Sequence, residues 1–209
     1  MDQVYRLNLP NIDNINFNQR IRSDLKMFDY AILYDLPNLI DEKILKLKNI
    51  HWDCILYFKL FNHIAPIHRD TTPYSYKHDR LGQWGINWTW NGDTLIQYWK
   101  IEDCEYTQFG KSSDNIENAG AVPFYETTKK PFATYELLPD QCYLVNGNLP
   151  HRAIGIGNRE SISLRPADYI QMPWKSVITL FSDIILDWST QEKQYNVDAV
   201  IEQLTPKIN

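Results

Sequence analysis

Glycine and cysteine are both scarce in this sequence, and the patterns they fail to form exclude several kinds of site. The 209 residues include 8 glycines and contain no G-x-G-x-x-G or G-x-x-x-x-G-K-[ST] run, which disfavours dinucleotide-binding and P-loop folds. The three cysteines, Cys54, Cys104 and Cys142, are widely spaced and form no C-x-x-C pair. We therefore expect neither a disulfide framework nor a thiolate zinc site.

Long hydrophobic runs are also missing. No apolar stretch approaches the roughly 20 residues that span a bilayer, and residues 1–16 have no basic segment followed by an apolar one, so we expect no membrane partner and no signal peptide. The 21 basic and 26 acidic side chains leave a net charge of −5, which disfavours nucleic acid as a general partner. These features predict a soluble, cytoplasmic protein.

Aromatic side chains, in contrast, are abundant. Seven Trp, thirteen Tyr and eight Phe make up 13% of the chain, a composition that favours β-strands around a lined cavity. Short apolar and aromatic runs alternate with turn signals, and the predicted strands are 54–61, 84–90, 94–101, 133–138, 141–145, 152–156 and 161–164. Asn91-Gly92 predicts a hairpin between the second and third of these strands, and Gly157-Asn158 predicts one between the last two.

The chain is expected to form a single domain over residues 1–209. Residues 1–50 would hold an irregular arm over 1–17 and a helix over 35–48, residues 51–168 the β core, and residues 169–209 the carboxy-terminal helices. The first of these helices, over 174–188, would cover the sheet or form a homodimer contact. The polar stretch 102–131 predicts a long loop that is either a lid or a disordered insertion. The fold class is thus mainly β, an antiparallel sandwich or barrel flanked by helices.

Histidines carry the clearest chemical signal. Two of the five open an H-x-D motif, at His51–Asp53 and at His68–Asp70, and alternate residues of a strand project into one cavity. We prefer His68 and Asp70 because they follow a whole apolar strand and precede a polar loop, where sites are commonly built. One more histidine from a distant strand would complete a 2-His-1-carboxylate triad, which leaves open positions on octahedral Fe(II).

The second half of the chain offers the remaining groups. His151 begins a predicted strand 83 residues after His68, and Arg159 and Ser161 lie two residues apart, on one side of the next strand. A guanidinium and a hydroxyl are suited to hold the far end of a dicarboxylate, because charge-assisted hydrogen bonds contribute about 1.5–3 kcal/mol each. Arg165 has the same parity and is the alternative candidate. Arg159 could instead be a surface arginine at a hairpin.

These residues together resemble the H-x-D…H…R-x-S pattern of the Fe(II)/2-oxoglutarate-dependent oxygenases. The resemblance runs from about Cys54 to Asp168 and implies a double-stranded β-helix, which is a cupin-like jelly roll. It implies a set of catalytic iron ligands consisting of His68, Asp70 and His151. It also implies a set of 2-oxoglutarate-binding residues consisting of Arg159 and Ser161 at the distal carboxylate, with Asn87 and Tyr98 adding contacts.

The activity implied by the resemblance is oxidative decarboxylation of 2-oxoglutarate to succinate, coupled to hydroxylation of a substrate. An amino acid, a peptide or protein side chain, or a small metabolite would be that substrate. Two other classes remain open: a cupin-like metalloprotein with other chemistry (an isomerase or a cosubstrate-independent dioxygenase), and a non-catalytic β-sandwich binding module. Four tryptophans, Trp84, Trp88, Trp90 and Trp99, indicate core packing, with a base-stacking platform as the alternative.

Overall fold

The computed structural model describes residues 1–10, 29–33, 35–70, 84–111, 121–167, 172–186 and 197–204. The strands in these ranges are β1 (Val4–Leu7), β2 (Asp29–Leu33), β3 (Trp52–Ile64), β4 (Ile67–His68), β5 (Trp84–Trp90), β6 (Asp93–Tyr98), β7 (Glu105–Lys111), β8 (Ala121–Glu126), β9 (Ala133–Leu137), β10 (Gln141–Asn146) and β11 (His151–Pro166). The α-helices are α1 (Glu42–Leu45), α2 (Trp174–Phe181) and α3 (Val197–Leu204). No helix in these ranges has the length and apolar character to cross a membrane.

Strand β11 organises the sheet because each of its two halves has neighbours on both sides. Residues 158–166 pair with β3 and residues 160–164 also pair with β5, and the strand order in that layer is β1-β10-β5-β11-β3-β2. Residues 151–156 pair with β6; on the other side His151 pairs with β4, and Ile154 and Gly155 pair with the end of β3. The order in this second layer is β9-β6-β11-β4-β8-β7. All of these pairs are antiparallel, so β11 belongs to two antiparallel layers.

The two halves of β11 fold back toward each other at Gly157. In a straight strand Arg165 would lie about 46 Å from His151, which is 14 positions earlier, yet these side chains lie 2.6 Å and 3.8 Å from Asp70. Gly157 has a φ of +73°, a conformation that glycine adopts without steric cost. Its amide donates at 2.8 Å to Oδ1 of Asn62, which lies at a positive φ in the paired strand β3. The β3–β11 ribbon therefore bends here and joins the two layers.

Both predicted hairpins are wrong, although each turn does reverse the chain. β5 pairs with β10 and β11, whereas β6 pairs with β9 and β11, so Asn91-Gly92 links the two layers instead of two hydrogen-bonded neighbours. The runs predicted at 152–156 and 161–164 are parts of the single strand β11. Turn residues specify where a chain reverses, whereas the pairing partner is set by how the layers pack.

The protein has two hydrophobic cores, one between the two layers and one on the outer face of the first layer. Between the layers, Val4, Tyr143 and Val145 of the first layer pack with Ile96, Tyr98, Tyr135 and Leu137 of the second. The outer face of the first layer, including Trp84, Trp88 and Trp90, packs against α2 and the segment around α1. Four strand segments in each layer, β10-β5-β11-β3 facing β9-β6-β11-β4, form a jelly roll. The predicted fold class, mainly β with flanking helices and a cupin-like double-stranded β-helix, is confirmed.

Several local predictions differ from the structure. Part of the stretch 102–131 forms the hairpin β7–β8, which extends the second layer beside β4, because edge pairing satisfies backbone groups whatever the side-chain pattern. The expected arm contains β1, paired with β10. The helix expected over 35–48 is broken into 3-10 turns around the four residues of α1, since Lys48 and Asn49 have positive φ. Helix α2 ends at Phe181, and Trp188 lies outside the described residues.

Gly92 should be the least replaceable residue of the link between β5 and β6. It has a φ of +85°, and a Cβ there would lie 2.5 Å from the carbonyl oxygen of Ile156. We expect Gly92→Ala to lower the free energy of unfolding, measured by urea denaturation, by about 2 kcal/mol. Gly157→Ala is the matched control, because its φ is +73° but the nearest atom to its new Cβ, Cα of Gly92, would be 3.9 Å away. It should cost about 1 kcal/mol, and equal losses for the two variants would contradict the steric argument.

Candidate metal centre

His68 and His151 face each other across neighbouring strands. His68 ends β4 and is the direct partner of His151, the first residue of β11, so both side chains lie on one face of the sheet. Their ring centroids are 4.5 Å apart. Nδ1 of His68 donates to the carbonyl of Pro66 at 2.9 Å, and Nδ1 of His151 donates to that of Leu149 at 2.8 Å. Each Nε2 therefore carries the lone pair, which is the arrangement a metal-ligating imidazole needs.

Asp70 lies just beyond β4, and the fold fixes both its backbone and its carboxylate. Its amide donates to the carbonyl of Gly147 at 3.0 Å, and the space that a side chain at Gly147 would take is filled by the Asp70 carboxylate. Nη1 of Arg165 donates to Oδ2 of Asp70 at 2.6 Å. Oδ1 then faces the imidazoles, 3.5 Å from Nε2 of His68 and 3.8 Å from Nε2 of His151.

The three groups converge closely enough to hold one ion. Their ligand atoms lie within 4.8 Å of one another. Among the described residues, these three form the cluster of His, Cys, Asp or Glu side chains that could hold a metal ion. His51 and Asp53, the other H-x-D pair, do not belong to it. Two imidazole nitrogens and one carboxylate oxygen on one side of a site match the 2-His-1-carboxylate donor set of non-haem Fe(II) proteins.

The electrostatics keep His151 and Asp70 in the protonation states that ligation requires. Burial is the largest influence on the pKa of His151 and lowers it to about 4, so the imidazole is neutral at pH 7. Burial by itself would raise the pKa of Asp70, but Arg165 and the two histidines outweigh it and hold that pKa well below its usual range. A neutral imidazole and a carboxylate are both ready to bind a cation.

Arg159 and Ser161 lie on the first layer and face the interior between the layers. Arg159 Cδ lies 3.0 Å from where a Cβ on Gly155 would be, and its Cζ is 6.0 Å from the ring centroid of Phe58. Both residues are buried, and neither Arg159 Nε nor Ser161 Oγ has a hydrogen-bond partner among the described residues. Burial lowers the pKa of Arg159 to about 10. A buried cation and a buried hydroxyl that lack partners are the groups expected where an anion binds.

Asn87 and Tyr98 occupy the same interior but have protein partners. Oδ1 of Asn87 accepts a short hydrogen bond from the hydroxyl of Ser163. The Tyr98 hydroxyl donates to the carbonyl of Asn146 at 2.9 Å, and its ring lies beside that of His151 at 5.6 Å. Tyr98 is therefore fixed by its hydrogen bond and packs beside the His151 ring.

Arg165 has a role that sequence reasoning missed. Arg165 lies an even number of residues from Arg159 and Ser161, which predicts that its side chain faces the interior, as the structure shows. Its partner there is the Asp70 carboxylate and not a free anion. The signal that could have identified the pair is the glycine at position 85, where a Cβ would lie 3.2 Å from Cδ and Nε of Arg165. Because Gly85 has no side chain, it leaves room for the Arg165 guanidinium to reach the Asp70 carboxylate.

Arg165→Met should weaken metal binding by about tenfold or more, because the hydrogen bond from Arg165 to Oδ2 orients the Asp70 carboxylate. Without the guanidinium the pKa of Asp70 rises, so protons compete with the metal and the loss should be larger at pH 6 than at pH 8. Calorimetric titration with Mn(II) at both pH values measures this. Arg152→Met is the control, since Arg152 bonds Gln97 on the outer face of the second layer. An affinity equal to wild type at both pH values would show that Arg165 does not orient Asp70.

No protein-family model matches the sequence, and no curated protein matches it. Among solved structures, the chain is similar to the X-ray structure of E. coli ycfD, with 9% identity, a TM-score of 0.35, and coverage of 73% of this chain and 39% of that one. It is also similar to a structure of YcfD, a ribosomal oxygenase from Escherichia coli, with 11% identity, a TM-score of 0.36, and coverage of 78% and 38%. The chain thus spans about two fifths of the length of those proteins.

Proposed function

We propose that this protein is an Fe(II)/2-oxoglutarate-dependent oxygenase that hydroxylates an amino acid, a peptide side chain or a small metabolite. The observation that carries the proposal is the convergence of His68, Asp70 and His151, with ligand atoms within 4.8 Å of one another. In each histidine Nδ1 is bonded to a backbone carbonyl, and Asp70 Oδ2 is bonded to Arg165. The three remaining ligand atoms, Nε2 of each histidine and Oδ1 of Asp70, converge on one point.

The donor chemistry fits Fe(II). Imidazole and carboxylate ligands suit iron, and three ligands on one face leave the remaining octahedral positions for small molecules. A structural zinc site would instead have four protein ligands, and the described residues offer three here.

The interior next to the metal centre fits a cosubstrate with a second carboxylate. Along β11 the inward positions after His151 are Ala153 and Gly155, which have the smallest side chains and leave space between the two layers. Arg159 lies over Gly155 with Nε unpaired, beside Ser161. His151 and Gly155 are four residues apart, a backbone separation of about 13 Å. An arginine that reaches back across part of that span could pair with the far carboxylate of a five-carbon 2-oxo diacid bound at the metal.

The residues of the chain would divide the work as follows. His68, Asp70 and His151 hold the metal, which when bound supplies the oxygen chemistry. Arg159 and Ser161 orient the cosubstrate by its distal carboxylate, so that its 2-oxo acid end faces the open metal positions. Tyr98 and Arg165 keep His151 and Asp70 in place. Burial of His151, Arg159 and Ser161 limits the access of bulk water to the inner side of the site.

Anaerobic titration tests the proposal. Metal-free protein receives Fe(II) and then 2-oxoglutarate, while the weak visible charge-transfer band of a chelated Fe(II)–2-oxo acid is followed. We expect the band in the wild type and its loss in His68→Ala. Iron binding without a band would favour a cupin-like metalloprotein with other chemistry. A protein that binds no iron would favour a non-catalytic binding module, and either result would overturn the proposed function.

A further inference from the structure

Two residues that are not part of the H-x-D…H…R-x-S pattern lie on the strands next to Gly155, the residue over which Arg159 passes. His63 of β3 and Thr94 of β6 are both direct partners of Gly155 in β11. Side chains directly opposite one another in an antiparallel ladder project to the same face. His63, Gly155 and Thr94 therefore form a row across three strands, four residues along β11 from the row of His68, His151 and Tyr98.

The middle position of this row is open, and Arg159 occupies the space above it. A Cβ on Gly155 would lie 3.0 Å from Cδ of Arg159 and 3.4 Å from its Cβ. The Arg159 side chain thus passes over Gly155, between the positions that His63 and Thr94 occupy on the neighbouring strands. Gly155 leaves room for it, because a side chain at this position would press on the Arg159 stem.

The polar groups of this region are not satisfied by one another. Thr94 is fully buried, and its Oγ1, like Arg159 Nε and Ser161 Oγ, has no hydrogen-bond partner among the described residues. Several unpaired buried polar atoms at one place carry a large desolvation cost unless a ligand supplies the partners. The chemistry of the set, a guanidinium, two hydroxyls and an imidazole, selects an anion with several acceptor oxygens.

We propose that His63 and Thr94 complete the carboxylate-binding end of the site, with the His63 imidazole and the Thr94 hydroxyl donating to the distal carboxylate that Arg159 holds. This inference rests on the proposed function and adds a discriminating role. His63 makes the site select a diacid over a 2-oxo acid of equal length that ends in a methyl group.

The charge state of His63 agrees with this role. Burial, and after it the Arg159 guanidinium, lower the pKa of His63. Burial and, to a lesser extent, repulsion from the Arg159 guanidinium both favour the neutral imidazole in the free protein. A carboxylate between the two side chains would relieve that repulsion and accept hydrogen bonds from both.

Binding of two matched ligands separates this role from a structural one. Anaerobic calorimetry on Mn(II)-loaded protein would measure the dissociation constants of 2-oxoglutarate and of 2-oxopentanoate, which has the same chain length without the distal carboxylate. We expect His63→Phe to weaken 2-oxoglutarate binding about tenfold and to leave 2-oxopentanoate and Mn(II) binding unchanged. His63→Gln, which keeps an N–H donor, should retain most of the affinity. Thr94→Val, which keeps the branched shape, should repeat the selective loss.

Each result decides the assignment. Equal weakening of both ligands in His63→Phe, or a dissociation constant for 2-oxoglutarate within twofold of wild type, would overturn the role of His63. If wild-type protein binds 2-oxoglutarate no more tightly than 2-oxopentanoate, the proposed function itself is overturned together with this inference. Wild-type discrimination that persists undiminished in His63→Phe overturns the inference alone. His51→Gln is the control, because His51 is exposed at the start of β3 and belongs to neither row.

Discussion

Replacing His151 with alanine is expected to reduce the affinity of the protein for Fe(II) or Mn(II) by more than about a hundredfold. His151 is the buried member of the three converging groups, and its neutral Nε2 is held toward Asp70 by the Nδ1 bond to Leu149. Two ligands that remain on adjacent positions cannot fix an octahedral ion against water. Calorimetric metal titration, followed by the visible band with 2-oxoglutarate, measures both consequences.

The control for this variant is His51→Ala, which removes a histidine from the other H-x-D motif. His51 is exposed and lies outside the metal group, so metal affinity should be unchanged. Circular dichroism should show the β-sheet signal in both variants, because the jelly roll is held by its strand pairings and two cores. Metal affinity that survives in His151→Ala would place the metal elsewhere and overturn the assigned centre.

Arg159→Met is expected to weaken 2-oxoglutarate binding by about a hundredfold, corresponding to the loss of one or two charge-assisted hydrogen bonds. Methionine keeps an unbranched apolar stem over Gly155, so the main loss is the charge and its hydrogen-bond donors. Binding of 2-oxopentanoate, which offers no distal carboxylate, should be unchanged. Anaerobic calorimetry on the Mn(II)-loaded protein compares the two ligands.

Although Arg159→Met should lose affinity for 2-oxoglutarate, it should not lose thermal stability. Arg159 is a buried cation whose Nε has no partner among the described residues, so it carries a desolvation cost that methionine does not. We expect the thermal unfolding midpoint of Arg159→Met to equal or exceed that of the wild type. A marked loss of stability would mean that Arg159 is part of the packing of the fold, and equal weakening of both ligands would mean the same.

The candidate site was partly accessible from sequence because strand geometry is local. Side chains two residues apart on a strand share a face, so H-x-D predicted that His68 and Asp70 project together, and the same parity placed Arg159, Ser161 and Arg165 on one side. The structure brings His68, Asp70 and His151 together and places Arg159 and Ser161 in the same interior. It gives Arg165 to Asp70, a pairing that parity alone does not distinguish from a free guanidinium.

Strand positions were predictable for the same reason. The aromatic run at 84–90 is β5 with the same bounds, and the runs at 133–138 and 141–145 differ by one residue from β9 and β10. The hairpin β7–β8 was not predictable from pattern, because β7 (EYTQFGK) is mostly polar and β8 (AVPFYE) carries a proline. The two strands are identified by their backbone pairing with each other and by that of β8 with β4.

The sequence by itself determined where strands form, where the chain reverses and which side chains share a face, since each depends on neighbours within a few residues. Only the tertiary structure decided which strands pair. Asn91-Gly92 and Gly157-Asn158 carry the chemistry of hairpins, yet both carry the chain between layers, because the residues before and after each turn pair in different layers and the layers pack face to face to bury apolar side chains. The same long-range pairing sets His151 opposite His68 and Gly155 between His63 and Thr94. Such rows join residues far apart in the chain, and no local pattern encodes them.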